Sequence, residues 1–129
     1  MSDFSILLAR NEHKSYATEI SGLYAKSASE RGTGIAKRPE SYIHKKIDDG
    51  KGVICLHKDG RLAGFCYIET WSNANYVVNS GLIVHPDFRN KGLAKRIKKK
   101  VFNLSKDLYP NAKIFGLTTS LAVMKIVRL

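Results

Sequence analysis

At 129 residues the chain has the length of one domain, enough to bury one real core and too short for two. Its 43% hydrophobic content is ordinary for a globular protein, and a formal net charge of +11 favours anionic partners without choosing among nucleic acid, a phosphorylated small molecule and an acidic membrane surface. The opening MSDFSILLAR is too short an apolar run for a secretory signal and no later run approaches the roughly 20 apolar residues of a membrane span, so the expectation is a single soluble, cytoplasmic domain over residues 1–129.

In chain order, Phe4 to Ala9 reads as a strand. Glu12 to about Glu30 reads as a helix with Tyr16, Ile20, Leu23 and Tyr24 at helical spacing, ended by Arg31-Gly32-Thr33-Gly34. A short second helix fits PESYIHKKIDD: Pro39 suits a first turn, Glu40 lies near the positive end of the dipole, Tyr42, Ile43 and Ile47 share one side, and Gly50 stops it. GVICLHKDGRLAGFCYIETW holds two strand-like runs around Asp59-Gly60, the dipeptide suited to the positive φ angles of a tight hairpin. With Lys58 opposite Arg61, Ile54, Leu56, Ala63, Phe65 and Tyr67 share one face and Val53, Cys55, Leu62, Cys66 and Ile68 the other. Both faces are apolar, which predicts helices on both sides of the sheet.

YVVNSGLIVHP is a further strand, ended by Pro86, which offers no backbone donor. From Gly92 to about Leu108, the residues Leu93, Ile97, Val101, Leu104 and Leu108 form a narrow helical stripe, with Lys95, Lys98 and Lys99 pointing elsewhere and Phe102 off the stripe. Lys113 to Thr119 reads as a last strand, and SLAVMKIVRL begins a helix. The mixture predicts an α/β or α+β domain on one mostly antiparallel sheet. Cys55 and Cys66 belong to no CxxC or zinc spacing and read as buried free thiols, and the four histidines are scattered, so no metal site is expected.

The chemistry concentrates in VHPDFRNKGLAKRI, a strand, a Pro-Asp corner and the start of an amphipathic helix. A helix opening this way presents unpaired backbone N–H groups and a positive dipole end to an anion, Gly92 admits a bulky group such as a pyrophosphate, and Ala94 keeps the first turn open. The run resembles the acyl-CoA-binding motif of the GNAT superfamily of N-acyltransferases: Arg or Gln, two residues, Gly, one residue, Gly or Ala. Arg89, Gly92 and Ala94 fill those positions behind the pair Pro86 and Phe88, with the hairpin DGRLAGFCYIE upstream in the right order.

The resemblance covers nearly the whole chain and implies the GNAT fold, its last strands missing, with acetyl-CoA as co-substrate and no metal. It further implies that backbone groups of Leu82, Ile83 and Val84 pair with the pantetheine arm as an added strand would. The pyrophosphate would rest on the N–H groups of Arg89, Asn90, Lys91, Gly92, Leu93, Ala94 and Lys95, and Thr118 and Thr119 would line the acyl or acceptor side. More narrowly, RPESYIHKKIDDGKGVICLHKDGRLAGFCYIE with IFGLTTSLAVMKI is similar to the GNAT domain of N-acetylglutamate synthases, where an Arg-Ser-x-Glu helix start and a Leu-Thr-Thr strand end recur; Pro39 stands in place of that Ser. The implied acceptor is a primary amine, such as an amino acid of the glutamate type.

Acyl transfer also needs a free amine, a donor for the developing oxyanion and a proton for the thiolate. The family's tyrosine acid is replaced by Ile126, and its strand glutamate by the neighbourhood of Val78 and Asn79. Glu69 is the remaining candidate for the catalytic base or a substrate contact, weighed against an ordinary solvated strand-end carboxylate. His85 reads as a surface residue, and water-mediated deprotonation is the alternative. Without the family's further strands Lys113 to Thr119 would be an exposed apolar edge, which predicts a homodimer. Two other readings compete: an inactive CoA-binding fragment, and a nucleic-acid module. The second is disfavoured because Phe65, Tyr67 and Tyr76 lie in apolar strands, and Lys98, Lys99 and Lys100 read more simply as a solvated helix face.

Overall fold

In the computed structural model of the chain the described residues are 3–31, 38–116 and 127–128. The two-residue alternation of the strands and the 3.6-residue stripe of the last long helix each have a partner in space. Strand β1 (Phe4–Leu8) leads through a 3₁₀ turn (Asn11–Tyr16) into α1 (Ala17–Arg31), followed by α2 (Glu40–Asp48). Strands β2 (Gly52–His57), β3 (Leu62–Trp71) and β4 (Tyr76–Val84) follow, then a short 3₁₀ turn at Pro86–Phe88, α3 (Leu93–Leu108), β5 (Lys113–Gly116) and β6 (Val127–Arg128). The strands lie in sequence order in one sheet, antiparallel except where β5 returns parallel to β4 after the α3 crossover.

Helices cover both faces, as the two apolar sides of the hairpin predict. Ile20 and Tyr24 of α1 and Ile43 and Ile47 of α2 pack on Ile54, Phe65 and Tyr67. Leu93, Ile97 and Val101 of α3 pack on Val53, Cys55, Ala63, Cys66, Ile68 and Val77. Each fully buried aliphatic side chain contributes about 1.5–3 kcal/mol of transfer free energy. Cys55 and Cys66 are buried free thiols, and burial pushes their pKa values up to about 11 and about 12.

The hairpin register differs from the expected one. His57, not Lys58, pairs with Arg61 (N–H to carbonyl, 2.9 Å), so the turn has three residues and Gly60 takes the positive φ of 92°. Leu56 then faces Leu62 while Cys55 faces Gly64, which leaves Ala63 as an extra residue in β3. The bulge exchanges two neighbours: Leu62 joins the α1/α2 side and Ala63 the α3 side, the reverse of the simple alternation.

Three more expectations change. The first helix is 3₁₀ through Tyr16 and α-helical only from Ala17. Leu108 is exposed, because α3 has left the sheet by its last turn, whereas Ser105 is fully buried and accepts from the Asn79 amide at 2.7 Å. Phe102, off the stripe, packs at the edge of the α3 core with the Lys106 ammonium 5.2 Å from its ring centroid. At the far end, Val127 and Arg128 are extended rather than helical and pair with Phe115 and Gly116, so β5 is not bare there. Among the described residues no helix is long and apolar enough to cross a membrane.

Candidate active site

Strand β4 changes its surroundings halfway along. Tyr76 to Asn79 pair with β5 on one side and β3 on the other, but the described register with β5 ends at Asn79. Leu82, Ile83 and Val84 then line an open cleft of about 250 Å³ together with Arg89 and, from α1, Ser27 and Glu30. Leu23 and Lys26 join the same lining at its narrower side. The α1 contribution is absent from the sequence reading, although Leu23, Ser27 and Glu30 follow one another at i, i+4 and i+7 and so share a helix face.

At the inner end of the cleft β4 is bulged: Phe65 faces Ile83 while Tyr67 faces Ser80, so Gly81 and Leu82 together oppose Cys66. Gly81 has φ +67°, and a Cβ there would stand 2.2 Å from the Tyr67 ring. The Tyr24 hydroxyl donates to the Gly81 carbonyl. Above it the Arg38 guanidinium lies 4.5 Å from the Tyr24 ring centroid, and its Nε donates to the Tyr67 hydroxyl at 2.7 Å. Burial pushes the Tyr24 pKa well above its ordinary value, against the opposing pull of Arg38, so its hydroxyl remains a donor.

At the outer end lies the turn into α3. Asn90 and Gly92 both have positive φ, 65° and 74°, and Gly92 caps the helix in the left-handed conformation. The first bond of α3 runs from the Arg96 N–H to the Gly92 carbonyl at 3.3 Å, so the N–H groups just before it have no helical acceptor, and the first turn carries no acidic residue. Gly92 is therefore suited to this position by its φ, and consecutive N–H groups in such a turn can cradle an anion. Arg89, Lys91 and Lys95 stand exposed around it.

The turn is clamped from behind. His85 is half-buried rather than a simple surface residue: its Nδ1 accepts from the Asp87 N–H at 3.1 Å. Arg61 of the β2–β3 turn bonds Asp87 at 2.7 Å and lies 4.6 Å from the centroid of the buried Phe88 ring, which contacts Phe4 and His57. A pantetheine arm along Leu82–Val84 and a pyrophosphate on Arg89–Lys95 would suit this donor set: a strand segment with no described partner on its edge away from β3 for one, backbone N–H groups and cations for the other.

Glu69 faces α2 instead of open solvent. Its carboxylate takes hydrogen bonds from the Tyr42 hydroxyl and the Lys46 ammonium, and Lys46, itself buried, also donates to the Ile68 carbonyl at 2.6 Å. Burial works to raise the Glu69 pKa, but the bonds from Lys46 and Tyr42 outweigh it and hold the carboxyl below its usual 4.5. The Tyr42 hydroxyl is pushed up, by burial first and by Glu69 second. The α2 helix thus delivers two residues one turn apart to one carboxylate. Thr118, Thr119 and Ile126 lie outside the described residues.

Comparisons with known proteins identify the family and the fold. The acetyltransferase (GNAT) family matches residues 20–125, while no curated protein sequence matches the chain. Among solved structures, N-acetylglutamate synthase from Neisseria gonorrhoeae, complexed with coenzyme A and N-acetyl-glutamate, superposes with a TM-score of 0.70 at 21% identity, over 95% of this chain and 27% of that one. Rv2747 from Mycobacterium tuberculosis in complex with CoA gives 0.71 at 15% identity, over 92% of this chain and 66% of that one. The putative acetyltransferase yncA from Salmonella typhimurium with acetyl-CoA gives 0.67 at 15% identity, over 89% and 69%. The chain spans about a quarter of the synthase and two thirds of Rv2747. With four fifths of its length inside the family match and the fold shared by these structures, the chain belongs to the acetyltransferase (GNAT) family.

Proposed function

We propose that the chain is an acyl-CoA-dependent N-acyltransferase that moves an acetyl group from acetyl-CoA to the amine of an amino acid. The observation that carries this reading is the cleft along Leu82–Val84, with Arg89 in its lining, between the Gly81 bulge on one side in sequence and the left-handed Gly92 turn on the other. With the pyrophosphate on the helix start, the arm runs back along β4 and its thioester comes to rest beside the bulge. Backbone N–H groups there are donors for the oxyanion that forms as the amine attacks. Water takes the proton that the acceptor's ammonium must lose before it attacks, and as the C–S bond breaks the thiolate leaves with a proton from water.

Arg38 favours an acceptor bearing a carboxylate. Its Nε is engaged by Tyr67, while the outer edge of the guanidinium is a planar fork that matches a carboxylate. The synthase complexed with N-acetyl-glutamate supports a substrate of this class. Glu69 serves here as a substrate contact, a fixed negative charge attracting the acceptor's ammonium, because a carboxylate held below its ordinary pKa is a weak base. Thr118 and Thr119 belong to this reading as contacts on the acyl or acceptor side. A homodimer belongs to the same reading, and a monomer in light scattering at micromolar concentration would remove it.

Isothermal titration tests the site. Acetyl-CoA is expected to bind the natural chain and to lose at least about 100-fold in affinity with Gly92→Glu, which sets a side chain at positive φ and a negative charge in the anion cradle. Equal binding by both proteins would refute the placement. A thiol-release assay over amino acids and polyamines then separates an enzyme from an inactive CoA-binding protein, and Arg38→Ala is expected to raise KM for the amino acid but not for a polyamine.

A further inference from the structure

Tyr24 belongs to no motif of the sequence reading beyond the apolar stripe of α1, yet its hydroxyl reaches 57 positions along the chain to the carbonyl of Gly81. That carbonyl and the Leu82 N–H are the two polar groups of one peptide unit, and all described peptide bonds are trans. In a planar trans peptide they point in opposite directions. Tyr24 stands edge-on to Tyr67 with ring centroids 6.4 Å apart, in the core on the α1/α2 side of the sheet. Fixing the Gly81 oxygen on Tyr24 therefore fixes the orientation of the Leu82 N–H as well, on the part of β4 beyond Asn79, where its described pairing with β5 ends.

We infer that Tyr24 is a positioning residue for acyl transfer: its bond to the Gly81 carbonyl holds the bulge peptide in the one orientation that aims the Leu82 N–H at the thioester oxygen. Two features make the hold one-sided. Without a side chain at Gly81 the peptide could rotate freely through positive φ, and only Gly fits beside the Tyr67 ring. Arg38, stacked on the Tyr24 ring, keeps that ring in place and couples the same tyrosine to the acceptor side. The donor is then preorganised before the oxyanion forms, which is where such a bond lowers the barrier most.

The inference rests on the acyl-CoA reading, and one experiment separates the two. Isotope-edited infrared spectroscopy is performed on acetyl-CoA labelled with ¹³C at the thioester carbonyl, bound to the natural chain, to Tyr24→Phe and to Tyr16→Phe. Tyr16 makes the comparable bond to the Gly60 carbonyl at 2.5 Å on the β2–β3 turn, away from the cleft, and so controls for general loosening. The bound carbonyl band is expected below that of free acetyl-CoA in the natural chain and in Tyr16→Phe. In Tyr24→Phe it returns at least half way to the free position, with Kd within about threefold and turnover lower by about 10-fold or more, as for a group that acts mainly in the transition state. Failure of the natural chain to bind acetyl-CoA overturns both readings. Intact binding with an unmoved band in Tyr24→Phe, or an equal shift in Tyr16→Phe, overturns the role of Tyr24 alone. If Tyr24→Phe does not fold, replacing residue 82 by the α-hydroxy acid of leucine removes the donor directly; a band that stays where it was overturns the inference, and one that returns to the free position supports it.

Discussion

The two faces of the sheet are built differently. Under α3 the described core is apolar, and the side-chain bond at its edge, Asn79 to Ser105, is closed on itself because the Ser105 hydroxyl also donates to the Val101 carbonyl at 2.9 Å. Under α1 and α2 the core is threaded with Tyr24, Tyr42, Tyr67, Arg38, Lys46 and Glu69, all bonded to one another or to the backbone. The apolar face is a mount that fixes the start of α3 against β4. The polar face carries side chains that can meet a substrate. Stability and chemistry are thereby separated by the thickness of one sheet.

The largest test of that division lies on the mount. Ile97 is fully buried beneath the anion turn, and Ile97→Ala is expected to cost about 2–5 kcal/mol in urea denaturation through lost burial and a cavity. A loss below 1 kcal/mol, on the order expected of a surface site, would mean that the face is not a rigid mount.

Next comes Lys46→Met, which removes the cation beneath Glu69 while keeping much of the volume. Because Glu69 is about a third exposed, the expected loss is moderate, about 1–3 kcal/mol at neutral pH. The folded pKa of Glu69 is depressed, so its contribution is present above the unfolded value and lost as pH falls through the folded one. The gap in stability between the natural chain and Lys46→Met should therefore be widest at neutral pH and narrow below about pH 4.5. A gap independent of pH would detach Lys46 from Glu69.

The smallest effect is expected outside both faces. Lys99→Ala and Lys100→Ala, on the exposed side of α3, should each change stability by less than about 0.5 kcal/mol. Their acetyl-CoA affinity, measured by titration, should stay within about twofold of the natural chain. A tenfold loss in either would move the anion site along the helix and blur the contrast between the cradle and the solvated face.

Much of the fold was legible because it depends on local periodicity and punctuation. The stripe of Leu93, Ile97 and Val101, the breaks at Gly50 and Pro86 and the turn at Gly60 each act over a few residues. The hairpin register was not legible: it turned on whether the turn has two residues or three, and one bulged residue, Ala63, moves its neighbours to opposite faces. Leu108 shows the same limit, since a periodic stripe does not say where a helix parts from its sheet.

The left-handed turn into α3 was readable from Gly92, because a positive φ is a property of a short segment. Glu69 was found by elimination, but its environment was not, since Tyr42 and Lys46 approach it from 27 and 23 positions away. By itself the sequence determined the order of the main elements from β1 to β5, the two apolar faces and the start of the last long helix, all consequences of spacing along the chain. Only the tertiary structure decided that Ser27 and Glu30 wall the cleft, that Glu69 is paired with Lys46, and that Tyr24 holds the Gly81 peptide. Those contacts join distant segments, and their geometry is set by how α1 and α2 pack across β3 and β4.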